Sequence, residues 1–363
     1  MQQSSSASEL IRPDERRVMW LLNHGTARKF EVPMLKRIGF SEIFLPKIMP
    51  PSFFRSGSVD FSEDASLTIP AKDLAAMNAV NWYGSVPPAI WDLANRHFRV
   101  LFFIAHDPSF FANVAANFQG AVVWRAYGLD QSNSYSKRLR YCSGGFRTIE
   151  KLAGRLSFGE AYDHLHEIEE RFLQSRAVYL PLGFASDLTY SWSGEDRRIF
   201  FVCPEIGNNR YYRNVYIDFK KSFRDLPHLI AGPQPLAVDD PHVSGYVPLR
   251  EHVENMRRLR VMYYHSSEPN HVHYHPFEAI RLGMPLVFRG GGLLDRLGGT
   301  SLPGRAESVT EARNKIERIL NGDKNLTEEI RRTQKTLLQP MTFGVCAPHW
   351  HDEFGEHLFE DLS

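Results

Sequence analysis

The sequence predicts an α/β protein built as two doubly wound parallel sheets, each covered by helices on both faces, facing each other across a cleft. Three observations carry this. The chain has 363 residues, long enough for two domains. Strand-like and helix-like segments alternate in two successive runs, and a polar, turn-rich stretch, ASDLTYSWSGEDR, separates them at 185–197. The strand candidates are unbroken apolar runs such as VMWLL, as strands buried on both faces must be.

Bulk properties exclude several functions. Apolar residues make up 43% of the chain, ample for two cores. A net charge of +1 gives no field for nucleic acid or for an anionic membrane. The three cysteines, Cys142, Cys203 and Cys346, are too scattered for a metal motif or a disulfide framework, which fits a reducing compartment. The first residues are serine-rich and charged, without the apolar core of a signal peptide. Val100 to Ala105, the longest apolar run near the middle, is far too short to span a bilayer. A cytoplasmic protein is expected, with peripheral association at the inner membrane face left open.

Taken in order, residues 1–16 read as a disordered lead. Val18 to Leu22 is a buried strand running into Asn23-His24-Gly25, a turn that faces the ligand crevice of such sheets. A helix is expected over Phe30–Ile38 and a strand over Glu42–Pro46. Residues 47–70 are proline- and serine-rich and read as a surface loop. Leu74–Trp82 is helical, and a further helix follows Pro88. Arg99–Ala105 is a strand ending in His106-Asp107-Pro108, then a helix covers Phe110–Asn117. Ala121–Arg125 is a strand, residues 149–175 read as charged helices, and Ala177–Gly183 closes the first domain at residue 184.

The second domain spans 198–340. Ile199–Cys203, His228–Gly232, Val243–Val247 and Leu259–Tyr264 are its strands. Tyr212–Phe223 is a helix, with Val215, Phe219 and Phe223 at helical spacing. Pro248–Arg258, Glu307–Asn321 and Leu326–Leu338 are the other helices. Residues 341–363 form a tail that carries Trp350 and Phe354.

The stretch from Ser266 to Gly292 stands out within this pattern. A polar loop rich in histidine comes first. Pro276 then opens a short helix over Phe277–Leu282 that Gly283 stops, and Pro285–Phe288 runs as a buried strand into three glycines. Glu278 falls in the first helical turn. A carboxylate there, beside N–H groups that attract anions, can hold a sugar diol and a phosphate together.

The segment PFEAIRLGMPLVF resembles the nucleotide-sugar-binding segment of retaining glycosyltransferases of the GT-B fold. Glu278, Ala279, Gly283, Pro285, Leu286 and Val287 match it. Asn270 stands eight residues before Glu278, where that family has a first glutamate, and Glu268 is out of register. The resemblance implies two Rossmann-like domains, a final helix crossing back to the first, and an acceptor side in residues 17–184. It also implies a metal-independent transfer from a nucleotide sugar to a glycan or lipid-linked acceptor, with the nucleotide sugar as substrate and no cofactor. Cell-surface polysaccharide synthesis is the expected setting. Glu278 would bind the donor's ribose.

Sugar transfer needs cationic groups where the departing phosphate gains charge. Arg210 and Arg213, at the start of the helix over 212–223, suit that role, as does the backbone of Gly290, Gly291 and Gly292. The alternatives are solvent-exposed arginines and a plain turn. His106 and His24 end strands at the crevice side and are candidates to touch sugar or acceptor, against a helix-entry role for the His106-Asp107-Pro108 turn. Arg125, at another strand end, suits an acidic sugar or carboxylated acceptor.

His271, His273 and His275 alternate and would share one face of an extended segment, with His265 nearby. They read either as a metal site or as replacements for the missing glutamate that, with Asn270, read the donor sugar. Two other functions compete with transfer. One is a nucleotide-sugar epimerase of the same architecture; the other is a binding protein that has lost activity, for which Asn270 is the best support.

Overall fold

A computed structural model describes residues 16–22, 25–48, 59–104, 108–129, 133–140, 145–184 and 191–353. The chain divides into two compact units, Met1–Ala185 with Met341–Ser363, and Ser186–Pro340.

Unit 1 carries, among the described residues, a parallel sheet of six strands in the order β2-β1-β3-β4-β5-β6. These are β1 (Arg17–Leu21), β2 (Glu42–Phe44), β3 (Val100–Phe103), β4 (Ala121–Ala126), β5 (Leu156–Glu160) and β6 (Ala177–Tyr179). Helices α1 (Gly25–Arg37), α2 (Ala71–Asn78), α3 (Pro88–His97), α4 (Pro108–Asn117), α5 (Tyr135–Arg140), α6 (Gly145–Leu152) and α7 (Arg171–Gln174) complete this part of the chain. β3 and β4 are buried along their whole length, which is why they read as apolar runs, broken in β4 by Arg125.

The expectation of charged helices across 149–175 needs correction. β5 lies inside that range as a largely buried strand. Its Gly159 resembles a breaker in sequence, but a Cβ there would meet Val123 Cγ1 at 2.8 Å, so glycine is what lets β5 pack closely on β4. The short α5 escaped the sequence reading as well. The buried Glu169 carboxylate accepts from the Tyr135 and Ser136 amides at 2.9 and 2.7 Å and so supplies its first turn with an acceptor from afar.

The tail folds as α13 (Phe343–Glu353) and packs within unit 1. Trp350 is fully buried; its ring stacks on Phe102 at 6.2 Å and meets Phe30 edge-on at 6.5 Å. Its indole N–H donates to the Pro181 carbonyl at 3.0 Å. Trp350→Phe keeps most of the ring packing but orphans that carbonyl, so urea unfolding is expected to show a loss of about 1–2 kcal/mol. A change below a few tenths would mean that the tail is not anchored there.

Unit 2 repeats the architecture, with order β12-β11-β10-β7-β8-β9 and every pairing parallel. Its strands are β7 (Asp196–Val202), β8 (His228–Ala231), β9 (Val243–Gly245), β10 (Leu259–Tyr264), β11 (Leu286–Arg289) and β12 (Arg305–Ala306). Its helices are α8 (Arg210–Phe223), α9 (Leu249–Arg258), α10 (His275–Leu282), α11 (Val309–Leu320) and α12 (Lys324–Thr333). Phe219 of α8 stacks on Phe201 of β7 with ring centroids 4.0 Å apart, and Phe223 packs on Tyr263 of β10 at 4.7 Å. These contacts fix α8 over the middle of the sheet, and with it the turn that precedes the helix. Among the described residues no helix is long and apolar enough to cross a membrane.

Candidate functional site

The second sheet reverses its strand order between β7 and β10. From β7 the chain moves outward through β8 and β9, then returns to place β10 on the other side of β7. The loops leaving these two strands both emerge at the carboxyl edge of the sheet, the position where ligands of such sheets bind.

The loop after β7 is held under strain. Glu205 has φ 55°, the positive-φ residue among the described non-glycines, and is buried. A left-handed glutamate costs about 1–3 kcal/mol unless its surroundings fix it. They do: its N–H donates to the Pro233 carbonyl at 2.9 Å, and its own carbonyl accepts the Asn208 and Asn209 amides at 3.2 and 2.9 Å. Gln234 ties the same loop down, donating to the Cys203 carbonyl at 2.8 Å and accepting from the Ile206 amide at 2.9 Å. Asn209 then caps α8, its side-chain oxygen accepting from the Tyr211 amide at 3.0 Å. Arg210 and Arg213 are exposed on the first turn, and Arg213 donates to the Gly207 carbonyl at 2.8 Å.

The loop after β10 brings the histidines together. The ring centroids of His271 and His273 are 4.7 Å apart, and those of His273 and His275 are 5.3 Å apart. His273 Nε2 lies 3.0 Å from the Tyr212 hydroxyl and Nδ1 lies 3.2 Å from the Tyr264 hydroxyl. His265 packs edge-on against Phe201 at 5.7 Å. Burial lowers its pKa to about 4. Burial also pushes His275 well below the usual histidine range, helped by the positive charge that His265, His252 and His271 would carry. Both shifts favour the neutral imidazole at His265 and His275. Among the described residues no group of three or more histidine, cysteine or acidic side chains has a geometry that could hold a metal.

Glu278 stands in the first turn of α10, partly exposed, with His252 Nε2 of α9 at 3.9 Å from its carboxylate. Gly283 ends the helix at φ 86°, a left-handed closure that suits glycine. Asn270 is partly exposed in the same loop.

The glycines after β11 behave differently from one another. Gly291, at φ 87°, donates its N–H to Asp295 Oδ2 at 2.7 Å, so that amide already has an internal acceptor. A Cβ on Gly292 would meet Ser267 Cα at 3.0 Å, so Gly292 lets this loop lie against the one after β10. The Leu293 amide donates to the Glu268 carbonyl at 2.8 Å and reinforces the contact.

Glu278, Arg210, Arg213, Asn270, the three alternating histidines, Gly291 and Gly292 thus gather on loops and helix starts at one edge of one sheet. Glu205, Gln234, Tyr212 and Tyr264 were not foreseen.

The candidates in unit 1 fare otherwise. His24 and His106 lie outside the described residues. Arg125 is fully buried, and the carboxylate it pairs with is internal rather than a ligand's: its Nε is 2.9 Å from Glu31 Oε1 and its Nη1 donates to the Gly159 carbonyl at 2.7 Å.

No protein-family model matches the sequence, nor does any curated protein. Solved structures do match the fold. A glycosyltransferase from Rickettsia africae is 9% identical, with 95% of this chain and 99% of that chain covered at a TM-score of 0.55. Anabaena HepE in complex with UDP and glucose is 11% identical, with 94% and 98% covered at 0.55. A T4 phage BGT mutant in complex with UDP-glucose is 9% identical, with 94% and 99% covered at 0.54. The chain spans about half of the longer S. aureus TarM, 55% of which is covered. Two parallel α/β sheets matched over nearly the full length of three such structures give this chain the GT-B fold.

Proposed function

We propose that the protein is a glycosyltransferase that takes a sugar from a nucleotide-sugar donor, with the nucleotide bound at the carboxyl edge of the unit 2 sheet. The observation that carries this is the placement of Glu278. It sits in the first turn of the helix that leaves the switch-point strand, partly exposed, in a segment resembling the donor-binding segment of retaining enzymes. Structures of the same fold contain UDP with glucose, and UDP-glucose.

In this reading the Glu278 carboxylate accepts hydrogen bonds from the ribose diol. Arg210, Arg213 and the amides opening α8 face the phosphates and stabilise the charge that grows as the glycosidic bond breaks. Asn270 and His271 flank the sugar. The finer assignments follow from the resemblance: retention at the anomeric carbon, no metal, a glycan or lipid-linked acceptor held by unit 1, and a role in polysaccharide synthesis.

The test is a titration with UDP and with UDP-sugars, followed by donor turnover. A charge-assisted pair of hydrogen bonds contributes about 1.5–3 kcal/mol, so Glu278→Ala is expected to weaken UDP binding roughly ten- to a hundredfold. Equal affinity in wild type and variant would remove Glu278 from the site. Asn270 in place of an acid favours one other reading, a relative that binds without transferring. Wild-type protein that binds UDP-sugars yet never releases sugar to water or acceptor would support that second reading. Conversion of the donor alone into another nucleotide sugar would instead identify an epimerase.

A further inference from the structure

We infer that Tyr212, His273 and Tyr264 form a latch that holds the loop between β10 and α10 against the first turn of α8, with His273 as the positioning residue of the donor site. This rests on the nucleotide-sugar reading above and adds to it a device that sets the geometry of the two loops.

Three contacts make up the latch. The His273 amide donates to the Tyr264 hydroxyl oxygen at 3.1 Å. The same hydroxyl lies 3.2 Å from His273 Nδ1. His273 Nε2 lies 3.0 Å from the Tyr212 hydroxyl. One imidazole thus links β10 to α8, and its own backbone closes the ring of contacts.

Both phenols are anchored from below. Tyr212 and Tyr264 are 3% and 2% exposed. The backbone carbonyl of Tyr212 accepts from Cys203 Sγ at 3.3 Å, at the end of β7. Phenylalanine would fill either place, and a buried hydroxyl is unfavourable unless it is bonded. Here the two hydroxyls converge on one imidazole at the switch point.

The consequence for the site is positional. Arg210 and Arg213 belong to the helical turn that Tyr212 occupies. Glu278 follows His273, in the first turn of α10, and the His271 and His275 rings both pack against the His273 ring. The latch therefore fixes the phosphate-facing turn relative to the ribose-facing carboxylate. Misplacement by about an ångström is enough to lose most of the benefit of such groups.

The experiment uses full-length protein with two readouts, peptide-level amide exchange without any nucleotide and calorimetric titration with UDP. Tyr212→Phe removes one hydroxyl, His273→Phe removes both nitrogens, and His273→Gln restores a donor and an acceptor. For Tyr212→Phe and His273→Phe the latch predicts roughly tenfold faster exchange across 265–274 and roughly tenfold weaker UDP binding, with the melting temperature within a few degrees of wild type. His273→Gln should recover part of both. If His273→Phe does not fold, Tyr212→Phe alone decides. Exchange and affinity within twofold of wild type in the folded variants would overturn the latch. Wild-type protein without affinity for UDP or UDP-glucose would overturn the nucleotide reading instead, and the exchange rates would still decide whether the loops are latched.

Discussion

Lowering the pH from 6.5 to 4 is expected to destabilise unit 2 by several kcal/mol. His265, His275 and His228 all have folded pKa values below the ordinary 6.5 because burial disfavours their charged forms. For His228 a neutral ring is also needed to accept from Lys220 Nζ at 3.2 Å while its Nδ1 donates to the Leu226 carbonyl at 2.6 Å. The sign follows from proton counts. Below 6.5 the unfolded chain takes up protons that the folded chain refuses, so stability falls with pH until the folded values are reached. Above 6.5 neither state is protonated and the contribution is complete. His265 alone, with a folded pKa of about 4, accounts for roughly 3 kcal/mol by pH 4.

Two carboxyls of unit 1 work in the opposite direction. Burial raises the Glu160 and Glu169 carboxyls, so the folded state binds their protons first and gains as the pH falls. Denaturant unfolding at pH 7.5, 6, 5 and 4, followed by exchange of unit 2 peptides, reads the difference. His265→Phe should flatten the slope, since the ring stays against Phe201 and the titration is gone. A slope unchanged by that substitution would show that His265 is not buried neutral.

Glu31→Ala is expected to be the most damaging single substitution in unit 1, at roughly 3–5 kcal/mol. The Glu31 carboxylate is fully buried on α1 and serves three donors. It accepts from Arg125 Nε at 2.9 Å, from the Tyr127 hydroxyl at 2.7 Å and from the Trp20 indole at 3.0 Å. Removing it leaves a fully buried guanidinium without its counter-charge. The damage belongs to the broken pair rather than to the loss of a strong bond. Glu31→Leu with Arg125→Met, which removes both charges, is therefore expected to be clearly more stable than Glu31→Ala alone. Urea unfolding of the two singles and the double decides it. A loss below about 1 kcal/mol for Glu31→Ala would contradict the buried pair.

That pair shows where reading the sequence failed. Arg125 ends a strand at the crevice side, and position alone made it a ligand contact. Its partner lies 94 residues earlier on another element, a contact that no local pattern records. β5 was hidden for a related reason: Gly159 is placed there by the side chains of the neighbouring strand rather than by its own sequence context. Glu205 gave no signal, because its left-handed backbone is imposed by Pro233 and by its own downstream amides. The histidines could be placed on one face, but not their tyrosine partners, since Tyr212 reads only as part of an apolar helix face.

What was legible has physical causes as well. Strands buried on both faces are predominantly apolar, so β1, β3, β4, β10 and β11 were visible to within a few residues. Proline entry and glycine exit framed α10 in the same way, and with it the position of Glu278.

The central claim is that a nucleotide lodges at the carboxyl edge of the second sheet, between the loops that leave β7 and β10. The most direct measurement is amide exchange of the full chain with and without saturating UDP. The account predicts slowed exchange confined to three segments, 204–213, 265–278 and 290–292, and its loss in Glu278→Ala. Exchange unchanged in all three, or slowed only in peptides of unit 1, would contradict it.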